Sequence, residues 1–555
     1  MSKVRWSLVF AILGAFLVYG PSVLACPWCE KGREKYLSTR ATLIEGLGSH
    51  HHPVSTTIEE AQCFFNQGLM YCFAFNHDEA IRSFKRAAEL DPELAMAHWG
   101  IAYALGTNYN LPIDSVRMLK AYDATQKALA LAGKATRQER AYIEALATRY
   151  SLDFEATPGS LDSAYKQAME KVYRDNPDDL DAAVFYAEAA MNLRPWMLWN
   201  RDGTPSPGTE ELVGVLESVL LRRPDHAGAC HFYIHAVEAS KHPEKALICA
   251  QRLLDLVPAS GHLVHMPAHT YIRVGDYAAS VEANRRAIAV DSAYIAANGG
   301  QGFYSLLYVP HNIHFYSVSC SMAGQYAEAL RSAEKLEAYI ASYVKLDPMV
   351  EGVAPTKYMI LTKFRKWDEI LNLPKPDQEL KVVTAVWHFA RGMALASQGN
   401  PQEARKELKR MEAAQKEFSP KALMGAINTA PAVMKVAGNV LLARIAEAEN
   451  KPGKAVEHYK AAVADQDNLA YDEPEGWYLS TRESLGGLYL KLGQFTDAER
   501  VFREDLEHYP RNGRALFGLK EALAGMENKV ASTQVEQQYL AAWKTADTKI
   551  SLQDL

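Results

Sequence analysis

The sequence predicts an all-α chain built as a solenoid of stacked helical hairpins. Three observations predict it: small, aromatic and proline positions recur at a spacing of 34 residues, the composition is that of an ordinary soluble chain, and no long alternating strand pattern occurs. Hydrophobic residues make up 48% and charged residues 23% of the 555, a globular balance. Length alone would imply several domains, but a repeat array grows by stacking each hairpin on its neighbour and needs no single large core. A formal net charge of -6 and a pI near 6.3 give no electrostatic reason to expect nucleic acid or an anionic membrane surface as partner.

Taken from the N-terminus, Lys3 and Arg5 precede an apolar run from Trp6 to Tyr19, then Gly20, Pro21 and Ala25. This reads as a secretory signal over residues 1–25, removed from the mature chain, and not as a stable membrane span. Cys26 follows directly, so the stretch also resembles a bacterial lipoprotein box that would put a lipid anchor on Cys26, although Leu24 and Pro27 depart from that pattern. The expected location is therefore the periplasm or the outer membrane. Without lipid, Cys26-Pro27-Trp28-Cys29 has the spacing of a disulfide, a redox pair or half a metal site. A leader over residues 26–58 carries His50-His51-His52-Pro53, expected to be solvated, with folding back over the array as the alternative. Seven cysteines is an odd number, so no complete disulfide framework follows. Cys63, Cys72, Cys230, Cys249 and Cys320 fall at helix-packing positions, as small buried hydrophobes do.

The repeat is clearest where Gly68, Tyr71, Ala80, Phe84, Ala87 and Pro92 take positions 8, 11, 20, 24, 27 and 32 of a frame starting at Ala61. Small residues let two antiparallel helices approach, aromatics fill the gaps, and proline ends the second helix. That set resembles the tetratricopeptide repeat. The frame recurs from Ala227, from Gly261 and, strongly, from Leu479, where Leu485, Gly486, Tyr489, Ala498, Phe502 and Pro510 fill it. The resemblance covers most of residues 59–525 and implies a right-handed superhelix of about nine to eleven repeats. Prolines 348, 355, 374 and 376 interrupt the pattern, so the expected organisation is an array over 59–345, an irregular repeat over 346–380 and a second array over 381–555. A helix from Gln534 to Thr545 is expected to cap it.

Nine of the 17 histidines lie between His226 and His314, where even spreading would put about three. His231 and His235 take positions 5 and 9 of their repeat, His262, His265 and His269 take 2, 5 and 9 of the next, and His311 and His314 take 2 and 5 of the following one. In this family positions 2, 5, 9 and 12 face the concave groove, so the resemblance implies one histidine-lined face. Residues four apart on a helix stand about 5–6 Å apart, and packed helices about 8–10 Å, so imidazoles of adjacent helices can share an ion. Glu238 at position 12, and Glu188 in the preceding repeat, are the carboxylates expected to ligate, to orient an imidazole or to act as a catalytic base. Nitrogen and oxygen donors suit zinc, Cu(II), iron or nickel better than Cu(I). Pro267 falls inside a first helix and is expected to break it; Pro310 suits a first turn. The insertion from Asn192 to Gly208, with Trp196 and Trp199, is expected either to complete a pocket or to pack on itself.

No GxxxxGK[ST], GxSxG, HExxH or CxxCH signature occurs, and two SxxK matches, Ser163-x2-Lys166 and Ser332-x2-Lys335, sit on ordinary repeat helices. Three functions stay open. One is an exported metalloprotein with one or two transition ions in the groove, acting as an oxidoreductase or hydrolase on a small-molecule substrate. Another is a scaffold that captures an exported protein or peptide, and the third is a non-catalytic metal chaperone or store.

Overall fold

Glycine and phenylalanine decide how the hairpins stack. A Cβ at Gly68 would lie 2.7 Å from the Phe84 ring and one at Gly100 2.5 Å from it. Only hydrogen leaves room for that ring to wedge between the first helices of successive hairpins. Phe502 is wedged in the same way between Gly486 and Gly518, and both rings are fully buried. The computed structural model describes residues 27–153 and 155–555, and the regular elements among them are helices.

The chain divides into two compact units, one of residues up to 267 with 286–309, the other of 268–285 with 310–555. In unit one, α1 (Pro27–Leu37) precedes the hairpins α2 (Glu59–Phe73) and α3 (His77–Leu90), α4 (Ala95–Leu105) and α5 (Ser115–Leu131), α6 (Arg137–Ala147) and α7 (Pro158–Asp175), α8 (Leu180–Met191) and α9 (Thr209–Arg222), and α10 (Ala227–Val237) and α11 (Leu247–Leu256), then the short α12 (Gly261–His265). Polar side chains start these helices: Asn76, Asp114, Thr136, Thr157 and Asp179 each accept a backbone N–H of the first turn. The expected break is present, since α12 ends at His265 and α13 (Pro267–Arg273) begins at the proline that lacks an amide. Then comes α14 (Tyr277–Asn298).

The leader folds back on unit one, although His51 and most of its other side chains stay exposed. Ile44 N–H donates to Gln67 at 2.8 Å, Ala259 N–H donates to the Gly46 carbonyl at 3.0 Å, and Ser55 N–H donates to Glu139 at 2.7 Å. His52 is buried. These hydrogen bonds tie the leader's backbone to unit one, so it straps that unit. The signal-like segment and Cys26 lie outside the described residues. Among the described residues Cys63, Cys72, Cys230, Cys249 and Cys320 are free thiols, all but Cys63 buried, and no helix is long and apolar enough to cross a membrane.

Unit two pairs α15 (Val309–Met322) with α16 (Tyr326–Ile340), passes through α17 (Pro348–Val353), α18 (Thr356–Lys363) and α19 (Trp367–Asn372), and continues with α20 (Lys381–Ser397), α21 (Pro401–Gln415), α22 (Ala430–Ala448), α23 (Pro452–Asp467), α24 (Thr481–Lys491), α25 (Phe495–His508), α26 (Gly513–Gly525) and α27 (Lys529–Ala542). Pro310 is in the first turn of α15, as expected. The proline-rich stretch 346–380 lies inside this unit as three short helices, because Pro348 starts a helix there. The last helix starts at Lys529, ahead of Gln534, because Asn528 caps it. Both ends of the unit meet: Tyr277 OH donates to the Pro510 carbonyl at 3.0 Å, and the Tyr326 and Ala327 amides donate to Asp547 at 2.7 and 2.9 Å.

Candidate metal centre

Three imidazoles of unit one converge because two glycines let their helices in. A Cβ at Gly228 would stand 2.7 Å from the Phe73 ring, and one at Gly261 would overlap Asp291. Their absence brings α10 against the end of α2 and seats the start of α12. His231, His235 and His262 are 0%, 3% and 1% exposed, and one ring nitrogen of each lies within 4.8 Å of the others. His231 Nε2 and His262 Nε2 are 3.2 Å apart. Two nitrogens at about 2.0–2.1 Å from a tetrahedral ion stand about 3.3 Å apart, so the spacing fits.

The outer partners set the tautomers. His231 Nδ1 donates to the Phe73 carbonyl at 2.6 Å, a group that only accepts, so the lone pair of the neutral ring is on Nε2. His235 Nδ1 donates to Glu238 Oε1 at 2.6 Å, and Glu238 is 1% exposed. Glu238 therefore orients a histidine in the way carboxylates back the imidazoles of metal sites. Aromatic rings wall the cluster: Phe75 lies 4.5, 6.0 and 5.5 Å from His231, His235 and His262, Tyr308 4.8 Å from His262, and Tyr109 5.3 Å from His235. Phe75 has a φ of 54° at the position just past α2 where glycine is usual. The insertion joins this wall, with Trp196 stacked on Tyr109 and Trp199 Nε1–H donating to the Ala236 carbonyl at 2.7 Å.

His265 lies beside the cluster, its ring 5.9 Å from His262. In unit two His269 repeats the carboxylate-backed arrangement, with Nδ1 3.2 Å from Glu473 Oε2 and its ring 5.7 Å from His311. His314 does not join a donor set among the described residues. It is buried near Tyr478, and burial lowers its pKa to about 4. Glu188 joins none either. It accepts from Asn192 Nδ2, and burial, partly offset by Arg149, pushes its carboxyl up to about 7.

In a second polar cluster of unit one, His226 presents a proton and not a lone pair. Asp181 meets His50 Nε2 at 3.1 Å, His226 Nε2 at 3.0 Å and His52 Nδ1 at 2.7 Å. His226 Nδ1 accepts the Ala229 N–H, so its Nε2 carries the proton and donates to the carboxylate. Burial works against the Asp181 anion, but the charge of His50 and hydrogen bonds from three imidazoles hold its pKa well below the usual range. The cluster ties the leader to α8.

Phe73, Phe75, Tyr109 and Tyr308 were not singled out by the repeat frame. The one signal for Phe75 was a phenylalanine in a helix-ending turn.

Tetratricopeptide repeat models match residues 61–94 and 484–546. The fold is that of a helical-hairpin repeat scaffold, an architecture built to bind. Those two segments are tetratricopeptide repeats. No curated protein matches it in sequence. Similar solved structures include the human IFIT1 dimer with m7Gppp-AAAA, 12% identical over 88% of this chain and 91% of that chain with a TM-score of 0.34. Another is the APC/C hetero-tetramer Cut9-Hcn1, 14% identical over 88% of each chain with a TM-score of 0.29. Neither likeness bears on function.

Proposed function

We propose that unit one binds a transition-metal ion, zinc, copper or iron, on His231, His235 and His262, and that the chain acts after export as a metal-dependent repeat protein. The observation that carries this reading is the pair of buried imidazoles whose Nδ1–H groups are committed to Phe73 O and Glu238, turning both Nε2 lone pairs toward a third imidazole. Three histidine ligands leave a coordination position for water or substrate, and an ion so held activates water or polarises a carbonyl.

Elemental analysis of untagged protein collected from its export compartment tests the reading. About one ion per chain is expected, lost in the His235→Ala, His262→Ala double variant and kept in His388→Ala and His458→Ala. Less than about 0.2 ion per chain in the parent protein overturns it and leaves a scaffold for a peptide or protein partner. N-terminal sequencing and mass analysis of the same material test export, with a mature chain starting at Cys26 expected.

A further inference from the structure

Unit one carries a pair of thiols that the histidine cluster does not use. Cys230 on α10 and Cys249 on α11 face each other across one hairpin, 0% and 4% exposed, and a side-chain hydrogen bond joins them. Ala246 and Ala250, buried next to Cys249, keep that face of the hairpin small, so the two helices pack closely there. The Cys230 sulfur also lies 3.7 Å from the Pro224 carbonyl, an acceptor that Arg252 Nη1, one turn after Cys249, reaches at 3.0 Å. A guanidinium therefore stands beside the pair. Among the described residues neither thiol joins a set of metal donors.

The two sulfurs are not equivalent. The hydrogen bond from Cys230, opposed by burial and helped by Arg252, holds the Cys249 thiol below its ordinary value. A thiolate, not a thiol, is the nucleophile in disulfide exchange, and a neighbouring cation favours it. Cys249 is also the nearer to solvent, since α11 exposes Ile248 and Arg252 beside it. Cys230, at the inner end of the hydrogen bond, is placed to resolve a bond formed on Cys249. Hydrogen-bonded sulfurs reach the bonded distance of about 2.05 Å by rotation of two short side chains.

We propose that Cys230 and Cys249 are a dithiol–disulfide site that exchanges with a small disulfide of the glutathione class and staples the α10–α11 hairpin when oxidised. The Cys249 thiolate, its proton released to solvent, attacks one sulfur of the small disulfide, and the first thiolate leaves. The Cys230 sulfur then attacks Cys249 Sγ in the mixed disulfide as the Cys230 proton leaves and the second thiolate departs. One S–S bond replaces another, the two departing thiolates take up the two protons, and no further oxidant enters. The cross-link closes a short loop of chain, which restricts the unfolded hairpin.

Thiol mapping of the reduced full-length protein, before and after incubation with oxidised glutathione, tests this. The protein is unfolded in N-ethylmaleimide, digested and mapped by mass spectrometry. A Cys230–Cys249 cross-linked peptide is expected after oxidation, with Cys63, Cys72 and Cys320 still alkylated. Cys230→Ser should trap glutathione on Cys249, whereas Cys249→Ser should leave Cys230 alkylated, because the inner thiol lacks a route to the oxidant. Amide exchange in α10 and α11 should slow about tenfold or more in the oxidised parent and in neither Ser variant. Both thiols alkylated to completion after the oxidant, or either one bridged to a different cysteine, overturns the proposal.

Discussion

His231 and His226 carry the same ring and opposite chemistry. Nδ1 of His231 faces a carbonyl and donates, whereas Nδ1 of His226 faces an amide and accepts, so the lone pair is on Nε2 of the first and the proton on Nε2 of the second. Glu238→Gln should accordingly lower metal affinity about 10–100-fold with the fold intact, measured by chelator competition; His226→Gln should leave occupancy unchanged. The Asp181 cluster makes a pH prediction. Asp181 is depressed, so its stabilisation is complete above the unfolded value of about 3.9 and is lost as pH falls through the folded value. For His52, burial lowers the pKa but Asp181, Asp179 and Glu139 outweigh it and the net shift is upward. Its contribution is complete below about 6.5 and is lost as pH rises through the folded value. The gap in thermal midpoint between the parent and Asp181→Asn should therefore peak between about pH 4 and 6.5. A gap constant from acid to alkaline pH would contradict this linkage.

Two glycines on helices separate packing from propensity at the scale of the element. A Cβ at Gly100 meets the Phe84 ring at 2.5 Å, while one at Gly214 in α9 meets nothing within 4 Å. Gly100→Ala should cost about 1–3 kcal/mol by overpacking, and Gly214→Ala should gain up to about 1 kcal/mol from helix propensity. Urea midpoints of the two variants check both signs, and equal shifts would mean that the ring wedge does not hold the hairpins. The break at Pro267 was legible for the same kind of reason, since a missing amide acts locally. The start of α27 was not, because an Asn528 cap outweighs a hydrophobic pattern that begins later.

At the scale of the whole molecule, the division into units and the closure of unit two are tertiary facts. Asp547 accepts two amides at the start of α16 from more than two hundred residues away, satisfying donors that a helix start otherwise leaves to solvent. Asp547→Ala should destabilise unit two by about 1–2 kcal/mol and speed amide exchange over α16 and α27, read by hydrogen exchange. Unchanged exchange there would show that the closure does not stabilise either helix.

The spacing of small residues, aromatics and prolines determined the hairpin fold, and the same frame put His231, His235 and His262 on one face, because helical periodicity is a property of neighbours in sequence. Which imidazole presents a lone pair was decided by groups far along the chain, such as the Phe73 carbonyl 158 residues before His231. Glu188 shares the expected stripe and yet pairs with Asn192, and the leader histidines close on Asp181 129 to 131 residues away. Hydrogen-bond partners and burial at such distances exist only once the hairpins have stacked, so tertiary structure alone chose the protonation state of each ring.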